Sequence, residues 1–476
     1  MKIKKQITVI LFVLSISSFF QLTNAQDVRK TIDFNKNWLF EQDDWIGYYH
    51  GSWINWDETN WIPVQTPHSF NAEDTFDPEQ GYYRGFAWYR KHFTIPDSEK
   101  GRILKIHFGA IGNESEIWVN EKFMGKFTTG YTPIEIDITE VVNWKIENVI
   151  AIRVNNLHND EIPPGRWRMD YNVYGGIYRE VNLLSLSPIH LIETDHFITT
   201  PKVSEKVSEI SVSTSVKNNF DEDKKVTVKC ELSDGNKVLI NVSKNFTIPA
   251  NQSVPIKTIL AEINDIELWS PNNPKLYSLE VSLKENRATI DNLVTKIGFR
   301  NFHFDAEKGF FLNGKHLKLR GLNRHQCYPG LANAVPERFQ IEDAVLLKEL
   351  GANYVRCAHY PQHTSFLDAC DSLGLLVYEE VASWQHIGGD EFIKHMDYMM
   401  EGMIRRDRNH PSIILWGMMN EGHSSKMFEK MIRTSKELDS TRPVSYAENH
   451  IDMGIKDGTV FQPDVLGLNY NLDNYD

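Results

Sequence analysis

The chain has 476 residues, 41% of them hydrophobic and 12% aromatic, which is enough for two or three domains with real cores and excludes a disordered or fibrous chain. Its formal net charge of −13 argues against a polyanionic partner such as nucleic acid. The four cysteines, Cys230, Cys327, Cys357 and Cys370, are too few and too scattered for a disulfide framework or a zinc site with paired ligands. Cys230 reads as a small core residue. Cys327 and Cys357 each follow a predicted strand, but their pairing is not expected.

Residues 1–25 carry Lys2, Lys4 and Lys5, then an apolar run from Ile7 to Phe20, then small residues up to Ala25. This is the pattern of a cleaved secretory leader. The run is short for a membrane-spanning helix, no second such run follows, and no cysteine stands at the cleavage point to take a lipid. The expectation is an exported protein, periplasmic or extracellular, with no membrane anchor and a mature charge of −16 once the three leader lysines are gone.

Residues 26–184 read as all β. Leu104, Ile106 and Phe108 alternate with Lys105 and His107, and Ile150, Ile152 and Val154 alternate with Ala151 and Arg153. Such half-buried antiparallel strands predict a sandwich or jelly roll. Nine tryptophans fall here, seven of them between 38 and 118 (Trp38, Trp45, Trp53, Trp56, Trp61, Trp88, Trp118); these suit a sugar-stacking platform, although core filling explains most of them. Residues 185–296 form a second β unit, in which Ile210, Val212, Thr214 and Val216, then Val226, Val228, Cys230 and Leu232, then Leu279, Val281 and Leu283 alternate with polar residues. Its size and strand spacing suit an immunoglobulin-like sandwich acting as a spacer.

From residue 297 to 476 the rhythm becomes strand, helix, strand. Strands are predicted at 316–322, 353–359, 375–381, 412–419, 443–447 and 465–469, with helices at 337–350, 365–373, 391–408 and 424–438. Six strands alternating with helices imply parallel βα units and favour a β/α barrel. A doubly wound sheet is the alternative, disfavoured because no glycine-rich phosphate loop follows the first strand.

In a barrel the chemistry sits at the C-terminal strand ends. Those ends carry Asn323-Arg324-His325, Arg356 with His359-Tyr360-Pro361, Glu379-Glu380 followed by Trp384 and His386, Asn420-Glu421, and Asn469-Tyr470. Glu421 stands out because the buried run Ile413-Ile414-Leu415-Trp416 delivers it to the rim. A histidine or glutamate at one strand end is ordinarily scaffold; five polar ends agreeing describe a pocket.

With these residues in view the chain resembles glycoside hydrolase family 2, the group of bacterial β-galactosidases and β-glucuronidases. The resemblance rests on Gly130-Tyr131-Thr132-Pro133, Gly175-Gly176-Ile177-Tyr178-Arg179, Leu268-Trp269-Ser270-Pro271, Gly298-Phe299-Arg300, Gly321-Leu322-Asn323-Arg324-His325, Arg356 with His359-Tyr360-Pro361, and Asn420-Glu421. It implies a sugar-binding-like jelly roll, an immunoglobulin-like sandwich and a (β/α)8 TIM barrel, with a retaining mechanism that uses two carboxyl groups about 5 Å apart. Glu421 matches the acid/base, which gives a proton to the leaving oxygen and then activates water. Asn420 matches the residue that binds the sugar 2-hydroxyl, and Arg356 the arginine that orients the nucleophile. His325, His359 and Tyr470 match residues lining the sugar site. Asp170 matches an aspartate by which the N-terminal domain reaches the pocket.

Two departures from the family pattern follow. Where its magnesium-binding galactosidases carry a Glu-x-His pair after strand three, this chain has Trp384 and His386, so no metal is expected to be required and Mg²⁺ is not expected at the usual site. The family's nucleophile follows strand seven, and this sequence stops at Asp476, seven residues past Asn469. The expectation is a barrel of about six strands, truncated before the nucleophile and inactive alone, with exposed edges that favour aggregation; the DNA downstream of the Asp476 codon tests this. Glu379, Glu380 and Glu448 are expected in surface or structural roles. The function implied is hydrolysis of terminal β-linked sugars, favouring β-galactosides, with a β-linked glycan as partner and a homo-oligomer compatible with the sequence. The alternatives are a β-glucuronidase and a non-catalytic secreted carbohydrate-binding protein.

Overall fold

The computed structural model describes residues 28–42, 50–76, 81–165, 169–204 and 206–470; the expected leader at 1–25 lies outside them. The N-terminal unit is a sandwich of two antiparallel sheets. One runs Lys30–Asp33, Val181–Leu186, Ile103–Phe108, Ile134–Asp137, and the other Ile62–Val64, Trp38–Gln42, Phe86–Thr94, Glu147–Asn155, Glu114–Val119, Lys122–Phe127. Alternation places Leu104, Ile106 and Phe108 in the core between the sheets, opposite Ile117, Ile150, Ile152 and Val154. Of the tryptophans, Trp38, Trp61, Trp88 and Trp118 are buried, Trp56 is half-buried and Trp53 is exposed; Trp45 lies outside the described residues.

The second unit packs a three-stranded sheet (Ile189–Lys202, Val207–Asn218, Ser253–Asn264) on a four-stranded one (Lys237–Ile248, Lys224–Asp234, Tyr277–Glu285, Ala288–Ile297). The predicted inward residues Val226, Val228, Cys230 and Leu232 meet Ile210, Val212 and Val216 in one core. The cysteines at 230, 327, 357 and 370 are all free thiols.

The third unit is a partial barrel of six parallel strands: β1 (Gly321–Arg324), β2 (Tyr354–Cys357), β3 (Leu376–Glu380), β4 (Ile413–Asn420), β5 (Val444–Glu448) and β6 (Val465–Leu468), paired in that order. Helices α1 (Glu337–Glu349), α2 (Thr364–Leu373), α3 (Asp390–Asp407), α4 (Ser425–Leu438) and α5 (Ile451–Asp457) cover one face. The core there is unusually rich in methionine, with Met396, Met399, Met400 and Met403 of α3 and Met427 and Met431 of α4 fully buried. Strands β3, β4 and β5 are buried along their whole length, which is why they read as continuous apolar runs.

The structure corrects two readings. The single strand expected at 316–322 is two, because Lys315–His316 closes a small antiparallel sheet with Gly309–Leu312 and Phe302–Asp305 before the chain enters β1. Helix α5 was not foreseen; its seven residues are mostly exposed and give little apolar periodicity.

Three of the sequence motifs weld the units together. Arg300 of Gly298-Phe299-Arg300 donates from Nη2 to the carbonyl of Ile413 (2.5 Å), so the second unit grips the start of β4. Arg179 of the Gly175–Arg179 motif donates to the carbonyls of Tyr131 (3.0 Å) and Pro361 (2.7 Å), tying the first unit to the loop after β2. Trp269, fully buried, donates from its indole to the carbonyl of Asp371 at 2.8 Å.

Candidate active site

The polar strand ends converge on one cluster at the C-terminal rim. Its centre is Glu380 at the end of β3, with no exposed surface. Arg356 of β2 donates from Nε to Oε2 (3.0 Å) and from Nη2 to Oε2 (2.8 Å) and Oε1 (3.0 Å), and His359 Nδ1 lies 2.5 Å from Oε1. Burial alone would raise the Glu380 carboxyl, but the Arg356 charge and His359 overcome it and hold it below the usual value. Burial likewise works against the Arg356 charge, and Glu380 reverses that, raising the guanidinium above its ordinary range. Truncating either partner would strand a buried charge.

Arg356 Nη2 also donates to Asn420 Oδ1 at 2.8 Å, and Asn469 Nδ2 donates to the same oxygen at 3.2 Å. With its acceptor filled twice, the Asn420 amide is fixed in orientation, and its NH2 group is the end left for a ligand oxygen. The backbone there is shaped for delivery. Pairing of β4 with β5 shifts register between Gly417 and Asn420, a bulge that turns the strand end. A Cβ on Gly417 would lie 2.3 Å from Glu380 Cβ, so β4 approaches β3 this closely only with glycine there. Glu421 itself adopts φ +58°, a left-handed conformation uncommon for its residue type and frequent at functional sites.

The Glu421 carboxylate is 7% exposed. Oε1 accepts from Asn469 Nδ2 (2.7 Å), and Oε2 accepts from Gln385 Nε2 (3.0 Å) and Asn449 Nδ2 (3.0 Å). Its own N–H donates to the carbonyl of Ala447 at 2.8 Å.

Around this pair stand the rings of His325, His359, Tyr171 and Tyr360. His325 Nδ1 is 3.3 Å from the Tyr360 hydroxyl, and Tyr171 packs within 5.7 Å of His325 and 6.0 Å of His359, ring centre to ring centre. Burial, aided by His359, lowers His325 to about 4, so it is a neutral imidazole at pH 7. The N-terminal unit therefore reaches the rim through Tyr171, while Asp170 beside it is exposed. Tyr470 is also exposed, at the end of β6.

Glu379 and Glu448 are fully buried, as Glu380 is, which overturns the surface half of their expected role. Their frames are internal. Arg406 donates to Glu379 Oε1 at 3.3 Å, and burial together with Asp407 pushes the Glu379 carboxyl well up. Glu448 accepts from the Tyr446 hydroxyl (2.7 Å) and the His450 N–H (2.6 Å), with His423 Nε2 at 3.4 Å. Ser424 caps α4 by accepting from the Met427 N–H.

The magnesium pattern of the family does not fit these residues. The carboxylate that the pattern needs two residues before His386 is replaced by the Trp384 indole, which brings no oxygen ligand. Trp384 packs on the barrel core, and His386 Nε2 is engaged with the Asp160 carbonyl at 2.8 Å. Gln385 and Asn449 carried no signal in the sequence, since an amide in a loop is ordinarily solvated; only their position beside Glu421 marks them.

Comparison with known proteins agrees with this architecture. Residues 35–187 match the sugar binding domain of the glycosyl hydrolases family 2, residues 190–300 the family's middle domain and residues 305–463 its TIM barrel domain. A β-galactosidase of Thermoanaerobacter pseudethanolicus is 37% identical over 425 residues, covering 87% of this chain and 55% of the relative. A β-glucuronidase of Bacteroides fragilis is 30% identical over 405 residues, covering 81% of this chain and 58% of the relative. The crystal structure of a Bacteroides uniformis β-glucuronidase superposes with a TM-score of 0.87 at 30% identity, over 93% of this chain and 55% of that one. The chain thus spans little more than half the length of these relatives. With three consecutive domain models of one family matched in order, and Asn420-Glu421 at the rim of the barrel they describe, the chain belongs to glycoside hydrolase family 2, the β-galactosidase and β-glucuronidase type.

Proposed function

We propose that the protein hydrolyses terminal β-linked sugars with retention of configuration, with β-galactosides as the preferred substrates and Glu421 as the acid/base. One observation carries the reading: Asn420 and Glu421 stand side by side at the end of β4, the first with its NH2 turned outward by Arg356 and Asn469, the second oriented by three amides. An amide aimed at the sugar 2-hydroxyl beside a carboxyl near the glycosidic oxygen is the pairing that general-acid cleavage of a glycoside needs. Glu421 then protonates the leaving oxygen and, as a carboxylate, takes a proton from the attacking water. The neutral His325 and the ring of Tyr171 wall the sugar.

The nucleophile is not assigned to Glu380 or Glu448. Glu380 spends both oxygens on Arg356 and His359, and Glu448 faces Tyr446, His450 and His423. The preference for a neutral sugar is supported by the charges at hand, since Glu380 already neutralises Arg356, the arginine among the described residues that bonds Asn420, and does not leave it for a uronate carboxylate. Two relatives, 37% and 35% identical, are β-galactosidases. We also propose that the protein is exported and works without a required metal.

The test is a panel of 4-nitrophenyl glycosides with the protein purified as its gene encodes it. β-Galactoside turnover exceeding β-glucuronide turnover by tenfold or more, and lost in Glu421→Gln, is expected. Faster turnover of the glucuronide would reassign the substrate, and full activity in Glu421→Gln would refute the acid/base.

A further inference from the structure

An acid/base on a bulged strand end in a left-handed conformation needs something to aim it. We infer that Gln385 is the positioning residue that aims Glu421, and that Glu161 of the N-terminal sandwich sets Gln385 in turn. The inference rests on the reading of Glu421 as acid/base.

Gln385 holds the Asn420-Glu421 corner at two points. Its Nε2 donates to Glu421 Oε2 at 3.0 Å, and its backbone N–H donates to the carbonyl of Asn420 at 2.9 Å. Gln385 is itself left-handed, at φ +57°, so the loop after β3 turns back on itself to face the end of β4. Asn449 shares Oε2 and Asn469 takes Oε1, so the carboxyl plane is fixed by donors from the ends of three strands. All three are neutral. A lysine or arginine there would add a charge beside the carboxyl, whereas the amides fix its direction without adding one.

The loop that carries Gln385 is clamped from outside the barrel. Trp384 packs on the barrel core and His386 Nε2 bonds the Asp160 carbonyl at 2.8 Å. Glu161 caps α3 from the other domain: its Oε1 accepts from the Gly389 N–H (3.1 Å) and its Oε2 from the Phe392 N–H (2.9 Å). The Glu161 carbonyl holds His395 Nδ1 at 2.6 Å. A Cβ on Gly388 would lie 2.5 Å from the Asp160 carbonyl oxygen, so the two loops touch backbone to backbone. A continuous line of contacts therefore runs from the sandwich through the start of α3 to the oxygen of Glu421. On this account the sandwich takes part in orienting the acid.

The leaving group separates positioning from mere structure. With aryl β-galactosides, Gln385→Ala is expected to lower kcat/KM, which reports formation of the glycosyl-enzyme, by tenfold or more for phenyl galactoside, whose leaving group needs a proton, and by less than twofold for the 2,4-dinitrophenyl galactoside. Gln385→Asn, one methylene short of Glu421, is expected to follow the alanine variant. Glu161→Ala is expected to show the same selectivity at two- to fivefold. Equal losses on both substrates in Gln385→Ala would overturn the inference. If the unmodified protein cleaves none of these substrates, the proposed function fails, and the contact is judged by a double-mutant cycle of Gln385→Ala with Glu421→Ala in urea unfolding. A three- to tenfold departure of the unfolding constants from additivity supports the clamp, and strict additivity overturns it.

Discussion

Arg356→Ala should be the most damaging single truncation at the barrel rim, and its cost should depend on pH in a defined direction. Three Arg356–Glu380 contacts of 2.8 to 3.0 Å hold a carboxylate with no exposed surface. Removing the guanidinium leaves that charge buried against His359 alone and also frees Asn420 from one of its two donors. Stranding one member of a buried pair costs about 3–5 kcal/mol. Glu380→Gln, which keeps shape and leaves Arg356 an amide oxygen, should cost about 1–3 kcal/mol. Because the folded Glu380 carboxyl lies below its usual 4.5, the stability it contributes is present above that pH and is lost as pH falls through the folded value. The gap between the unmodified protein and Arg356→Ala should therefore be widest at neutral pH and shrink as pH falls below 4.5 through the folded value. Urea unfolding monitored by hydrogen exchange in β3 isolates the barrel from the two sandwiches. A gap under about 1 kcal/mol at pH 7, or one that does not change with pH, would refute the assignment of Glu380 as a buried anion held by Arg356.

Two further outcomes follow from the same contacts. His410 lies 2.6 Å from Asp371; burial would lower the imidazole, but Asp371 raises it from 6.5 to about 9, so its contribution of about 3 kcal/mol is present below pH 6.5 and lost as pH rises through 9. The melting temperature should fall across that window, and Asp371→Asn should flatten the fall. Leu322 on the edge strand β1, Leu350 at the end of α1 and Phe461 shortly before β6 are exposed, at 50%, 70% and 75%, and among the described residues β1 and β6 have no outer strand. Residues 1–476 expressed alone should self-associate in light scattering, and Leu350→Lys with Phe461→Lys should reduce it.

The order of elements was legible because each carries its period. The alternation at 104–108 and the unbroken run at 413–416 report sheets wet on one face and buried on both, and the partial barrel follows from strand alternating with helix. The rim was legible as a list, since polar residues ended five of the six strands. The partnerships within it were not. Glu380 is 24 residues from Arg356 and 21 from His359, and only parallel pairing of β2 with β3 sets them side by side. The same distance hid the bonds that Arg356 makes to Glu380 and Asn420. Gln385 and Asn449 are amides in loops, a type and a place that predict solvent. Asp170 was singled out by the resemblance alone, and the residue packed among the rim histidines is its neighbour Tyr171, which carried no signal in the sequence.

The assignment of Glu421 as acid/base is tested most directly by Glu421→Ala assayed on 2,4-dinitrophenyl β-galactoside with and without sodium azide, followed by stereochemical analysis of the product. This substrate needs no acid to leave, so the glycosyl-enzyme forms and then waits for a base that is gone. Azide, which needs no base, should accelerate turnover and give the β-configured galactosyl azide. An α-configured azide would mark Glu421 as the nucleophile, and an unimpaired variant indifferent to azide would remove it from the chemistry.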